Sequence, residues 1–244
     1  MIFALSRSLV LSTLVLLVVV ICVGLLRYGY AATPRDLIEW SSKIALFISG
    51  AIVLLSIRPV FRALHLVTFA KYWWFPWIDG EWRAEIRSNW PKVDRMYLAA
   101  KREGPKFDAL AAPLTAADEL VTTASVTIES SLFDISIEIT PDGTNKVSRT
   151  RYVRPRWTRP DRPELSYVYA QMDPTLLAPT DTRQHYGAGI VEYIRKTDEL
   201  SGHYWTNRNA EAALNTAGTI VMRRVATPGL LERFSIMLDH IRKN

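Results

Sequence analysis

The chain has 244 residues, a hydrophobic share of 49%, one cysteine and a formal net charge of +6, which is room for one ordinary domain plus a short anchor. Residues 1–70 carry six Lys/Arg against two Asp/Glu, and the remainder 24 against 22. The nearly balanced remainder argues against binding long nucleic acid, whose affinity comes largely from neutralising phosphates.

Residues 8–26, between Arg7 and Arg27, hold no charge and are mainly Leu, Val and Ile. A helix of that length is roughly 28 Å long, close to the hydrocarbon thickness of a bilayer. The next apolar segment has 14 uncharged residues between Lys43 and Arg58. Extended back to Leu37 it also reaches membrane length, roughly 31 Å, and takes in Glu39 and Lys43, which lie four apart and can pair while Lys43 snorkels to the interface. Arg7 and Gly29-Tyr30-Ala31 imitate a signal peptide. The first run is longer than the usual ~7–15-residue signal core, however, and a second apolar segment follows it. The pattern predicts an uncleaved two-helix transmembrane hairpin over residues 1–58.

Arg7 precedes the hairpin and Arg58, Arg62 and Lys71 follow it, while the connecting loop offers Arg27 and Arg35. The positive-inside rule then places both ends, and the domain that follows, in the cytoplasm. The single Cys22 lies inside a span, which leaves the rest without disulfides. Residues 59–78 form an aromatic connector with Tyr72, Trp73, Trp74, Phe75 and Trp77. Such rings suit either a membrane-interface belt or a plug for the end of the following domain.

From Asp79 the period becomes two. Gly80, Trp82, Ala84 and Ile86 alternate with Glu81, Arg83, Glu85 and Arg87, as in a half-buried strand. An excursion over Ser88–Leu120, with helical stretches near Val93–Glu103 and Ala116–Leu120, interrupts the strands. Strand patterns resume at Val121–Glu129 and through Phe133–Ile139. Pro141-Asp142-Gly143 marks a turn, and further strands are expected at 146–154, 165–172, 187–194, 200–206 and 217–224. Eight strands close a small barrel that can hold one ligand, although a sandwich gives similar spacing. The domain spans 79–226. Thr227-Pro228 starts a C-terminal amphipathic helix over 227–244.

No catalytic constellation is evident, so the chain reads as a non-enzyme with no cofactor. His65, His185, His203 and His240 are scattered without metal-ligand spacing. What remains is a binding interior. One face of 200–206 carries Gly202, Tyr204 and Thr206, one face of 165–172 carries Tyr167, Tyr169 and Gln171, and one face of 146–154 carries Arg149 and Arg151. Rings stack on bases, hydroxyls and amides read their edges, and arginine pairs with phosphate. The same tyrosines also suit an ordinary barrel wall.

The order of two apolar helices, WFPWIDGEW, VTIESSLFDISIEIT, SRTRYV, LSGHYWTNRN and AGTIVMRR resembles the two-transmembrane, β-strand-rich effector family associated with CD-NTases in bacterial anti-phage CBASS operons. The resemblance implies a membrane-anchored all-β fold: two transmembrane helices, then an eight-stranded lipocalin-like barrel, here extended by the C-terminal helix. It implies that the barrel binds a cyclic oligonucleotide made by a CD-NTase. Homo-oligomerisation would follow, with disruption of the inner membrane and abortive infection. Tyr204, Thr206 and Arg208 in YWTNR, with Ser148 and Thr150 in SRTRY, are the ligand-binding residues it implies; Tyr167, Tyr169 and Arg149 come from the strand faces. Two other classes remain: a membrane-anchored carrier of an apolar ligand, and a structural subunit of an envelope complex.

Overall fold

The computed structural model describes residues 7–29, 33–67, 75–108, 119–159, 162–174 and 182–225. Both apolar segments are helices, α1 (Arg7–Arg27) and α2 (Pro34–Ser56). α2 starts ahead of Leu37 because Thr33 caps it. Its Oγ1 accepts the Asp36 N–H at 3.2 Å, and the Asp36 carboxylate accepts the Thr33 N–H at 2.8 Å, a reciprocal capping box. Glu39 and Lys43 pair at 2.8 Å as their spacing predicts.

Large apolar side chains on both helices point outward uncovered, Val15 at 62% and Phe47 at 78% exposure. Among the described residues one helical stretch, Glu39–Ser56, is long and apolar enough to cross a membrane, and Val15–Arg27 is a shorter apolar stretch. Two helices are therefore observed where two spans are expected, and one of them contains a stretch of membrane-spanning length and apolarity.

At Ile57 the backbone turns extended, and a short helix, α3 (Arg58–Val67), follows where the sequence suggested only a connector. Phe61 and His65, one turn apart, are buried, while Arg58, Arg62 and Ala63 stay exposed. Eight antiparallel strands come next: β1 (Gly80–Ser88), β2 (Leu120–Ser130), β3 (Ile135–Pro141), β4 (Val147–Arg159), β5 (Arg162–Met172), β6 (Gln184–Ile194), β7 (Glu199–Thr206) and β8 (Ala217–Arg224). Each pairs with its neighbours in the chain, and β1 also pairs with β8. The sheet is a closed barrel, and the sandwich is excluded.

One end is a filled floor. Trp82, Phe61, Phe75 and Ile78 are at most 1% exposed, and Ile128, Ile137, Leu165, Leu200 and Met222 pack behind them. Each such side chain contributes about 1.5–3 kcal/mol by leaving water. The Trp82 indole N–H donates to the Ile78 carbonyl at 2.9 Å. Across the β1–β8 seam the Arg224 guanidinium lies 4.3 Å from the Trp82 ring centre and donates to the Trp77 carbonyl at 2.9 Å. The connector aromatics thus act as a plug where they are described: Phe75 meets Trp157 edge-on at 6.4 Å, and Trp77 fits between Phe61 and His65. Tyr72, Trp73 and Trp74 lie outside the described residues, as does the helix expected over 227–244.

Among the described residues the opposite end is open. Its connections include the predicted Pro141-Asp142-Gly143 turn, with Gly143 at φ +67° and the Asp142 carboxylate taken up by Arg83 and Thr123. The excursion after β1 holds α4 (Trp90–Lys101), close to the predicted Val93–Glu103. Most of the second stretch, Ala116–Leu120, lies outside the described residues, and Leu120 itself opens β2. Asn89 fastens the start of α4 to β8 through two hydrogen bonds with the Ala217 backbone, at 3.0 and 2.9 Å.

Candidate functional site

The open mouth leads into a cup of about 280 Å³ above the floor. Its wall follows from an alternation of large and small residues around the barrel. Tyr167 on β5 stands opposite Gly189 on β6, which stands opposite Tyr204 on β7, which stands opposite Gly218 on β8. One step nearer the rim, Tyr169 faces Gly187. A Cβ at Gly187 or Gly189 would strike the ring of Tyr169 or Tyr167. The glycines are the space into which the rings lie, with the Tyr167 and Tyr169 ring centres 6.1 Å apart.

Burial is the main reason that the phenols of Tyr167, Tyr169 and Tyr204 hold their protons above the ordinary value near 10; neighbouring tyrosines add to this for the first two. Neutral hydroxyls then face the cup as donors and acceptors. Towards the rim, the Ser148 hydroxyl donates to Gln171 Oε1 at 3.2 Å, and the Thr206 and Thr216 hydroxyls share a hydrogen bond of 2.9 Å. Arg208 reaches the same rim with its guanidinium 4.5 Å from the Trp90 ring centre, a cation–π contact that fixes its position. Lys146 also lines the rim and pairs at 3.0 Å with Asp173, whose side chain is 1% exposed.

Seven of the residues singled out from sequence meet in this cup: Tyr167, Tyr169, Gln171, Tyr204, Thr206, Arg208 and Ser148. The β4 residues Arg149, Thr150 and Arg151 do not line it. Arg149 lies on the outer wall, 72% exposed and paired with Glu138 at 2.7 Å. Thr150 turns its hydroxyl to the Ile137 N–H at 2.9 Å, holding β3 to β4 where their backbone pairing has ended. A bulge between Thr150 and Tyr152 resets the alternation of β4, and Arg151 is exposed there as well.

His185, Thr216, Ser88 and Lys146 line the cup without having been singled out. His185 carried a readable signal, since it alternates with Gly187 and Gly189 on the inward face of β6. Lys146 immediately precedes β4 in phase with Ser148, whereas Thr216 comes from a connection, where no period marks it. Among the described residues no three His, Cys, Asp or Glu side chains converge as a metal site requires. The donors present suit an organic ligand with a flat ring and an anionic group: aromatic faces and hydroxyls inside, an oriented arginine at the edge.

No protein-family model matches the chain, and no curated protein matches it. The resemblance to the CBASS effector family rests on its quoted motifs alone.

Proposed function

We propose that this chain is a membrane-anchored receptor that binds a cyclic nucleotide in the barrel mouth and, once loaded, oligomerises and disrupts the bilayer. In this reading it is a non-enzymatic effector of CBASS-type anti-phage defence, held in the inner membrane by α1 and α2 with the barrel in the cytoplasm. The observation that carries the proposal is the composition of the cup: three buried tyrosines and a ring of hydroxyls, with Arg208 braced on Trp90 at the rim. A carrier of apolar ligands needs an aliphatic chamber, and here the aliphatic half of the barrel is filled by its own side chains.

The size of the cup narrows the mode of binding. At about 280 Å³ it lies at the small end of ligand pockets, which run roughly 300–1,000 Å³. One base with its ribose enters, stacked against the tyrosines, while the phosphates stay at the rim beside Arg208.

The test is calorimetric titration of the full chain in detergent with a panel of cyclic di- and trinucleotides. One member is expected to bind tightly. Arg208→Ala removes a charge-assisted contact and weakens binding roughly 10- to 100-fold, and Tyr204→Ala costs roughly 5- to 100-fold through lost stacking. No binding across the panel by folded protein would overturn the reading.

A further inference from the structure

We propose that the cleft between α3 and the barrel floor is a binding site for the phosphodiester group of an anionic phospholipid, held by Arg62 and Arg58 beside Trp77. It is separate from the nucleotide cup, and it rests on the membrane anchorage in the reading above. The cleft has a volume of about 390 Å³ and is lined by Arg58, Pro59, Arg62, Ala63, Trp77 and Asp79.

Position is the first argument. Arg58 stands two residues beyond the end of α2, so the cleft opens at the level where the apolar Glu39–Ser56 stretch gives way to polar chain. Lipid phosphates lie at that level of a bilayer, and basic side chains just outside a span are drawn to them.

The chemistry of the lining is the second. Arg58 and Arg62 are one helical turn apart on the exposed face of α3, so both guanidinium groups reach one anion. Arg58 gives one nitrogen to Glu129 at 2.8 Å and keeps further N–H donors of its five. Arg62 forms no ion pair among the described residues, and its guanidinium lies 6.0 Å from the Trp77 ring centre, a flat neighbour that limits its motion. Two arginines converging on one cleft, against the single carboxyl of Asp79, leave an excess of positive charge and of N–H donors suited to an oxyanion. The carboxyl of Asp79 sits in the same cleft; burial raises its pKa, offset in part by Ser130 and by the positive charges of Arg58 and Arg62.

The recognised feature is a phosphodiester whose negative charge is not cancelled within its own headgroup, as it is by the quaternary ammonium of phosphatidylcholine, and the source of the anion separates in the experiment. Full-length protein in detergent is mixed with dioleoyl phosphatidylglycerol or dioleoyl phosphatidylcholine, and bound lipid is counted by native mass spectrometry with and without millimolar inorganic phosphate. The expected result is retention of phosphatidylglycerol over phosphatidylcholine by roughly tenfold or more, undisturbed by inorganic phosphate. Arg58→Gln/Arg62→Gln should abolish this preference. Ala63→Glu should abolish it too, by setting a carboxylate in the cleft with both arginines intact. Equal retention by wild type and variants would overturn the site, and displacement by inorganic phosphate would assign the cleft to a free anion instead of a lipid. Flotation with pure phosphatidylcholine vesicles distinguishes the underlying failure. A chain that does not float is not membrane-anchored, whereas one that floats without lipid preference loses this site alone.

Discussion

A tyrosine ring inside a small barrel needs room on the neighbouring strand, and the row Tyr167–Gly189–Tyr204–Gly218 supplies it by setting a glycine beside each ring. The consequence is measurable. Gly189→Ala places a methyl group where the Tyr167 ring lies, so either the ring leaves its rotamer or the strands move apart. Overpacking of this kind costs about 1–3 kcal/mol, which for a chain of this size lowers Tm by roughly 2–4 °C per kcal/mol. Thermal denaturation should register that loss. Nucleotide affinity should fall with it, because a displaced ring fills the cup. An unchanged Tm would mean that the tyrosine swings aside freely and that the glycines are not what shapes the wall.

At the scale of elements, α3 joins the α1–α2 segment to the barrel through buried contacts, and one of them titrates. The His65 imidazole Nε2–H donates to the Phe75 carbonyl at 2.7 Å. Burial lowers its pKa from 6.5, only partly offset by that hydrogen bond. A histidine held neutral stabilises the fold fully above its unfolded value. That contribution fades as pH falls through 6.5 towards the depressed folded value, because the unfolded chain binds a proton that the native one refuses. Thermal melts at about pH 7.5 and about pH 5.5 should therefore show a drop in Tm that is smaller in His65→Gln, whose amide can still donate to Phe75 but does not titrate. Equal drops would place the acid sensitivity elsewhere. This helix was not legible in the sequence, since Phe61 and His65 follow directly on an apolar run that hides their spacing. The strands were legible, because the barrel is polar outside and apolar or aromatic inside, so alternation survives in nearly every one. It failed on β4, where Arg149 faces out by alternation with the inward Ser148 and the bulge at Thr150–Tyr152 then shifts the phase so that Val153 faces in. The tyrosine face of the cup could be read from Tyr167, Tyr169 and Tyr204. Thr216 of the rim comes from a connection, which only the closure of the barrel brings to the cup.

For the whole molecule, the arrangement of the two ends decides what can reach the cup. α3 packs on the floor, and Phe61, Phe75, Ile78 and Trp82 seal that end completely. The mouth lies at the other end, ringed by Thr144, Gln171 and Arg208. If α1 and α2 lie in the bilayer, as proposed, the sealed end faces the lipid and the mouth faces water, so a ligand would arrive from solution and its binding would be felt by the helices only through the wall and floor. The proposed two-span topology predicts opposite accessibility for two exposed positions. In a Cys22→Ser background, Tyr28→Cys in the α1–α2 connection and Thr144→Cys at the mouth are treated with a membrane-impermeant thiol reagent in sealed vesicles of known orientation. Thr144→Cys should react only from the cytoplasmic face and Tyr28→Cys only from the other. Thr144→Cys should also be protected by the bound nucleotide, since it lines the cup. Reaction of both positions from one face would show that the hairpin lies on the bilayer or outside it, and the coupling of ligand to membrane damage would then need another route.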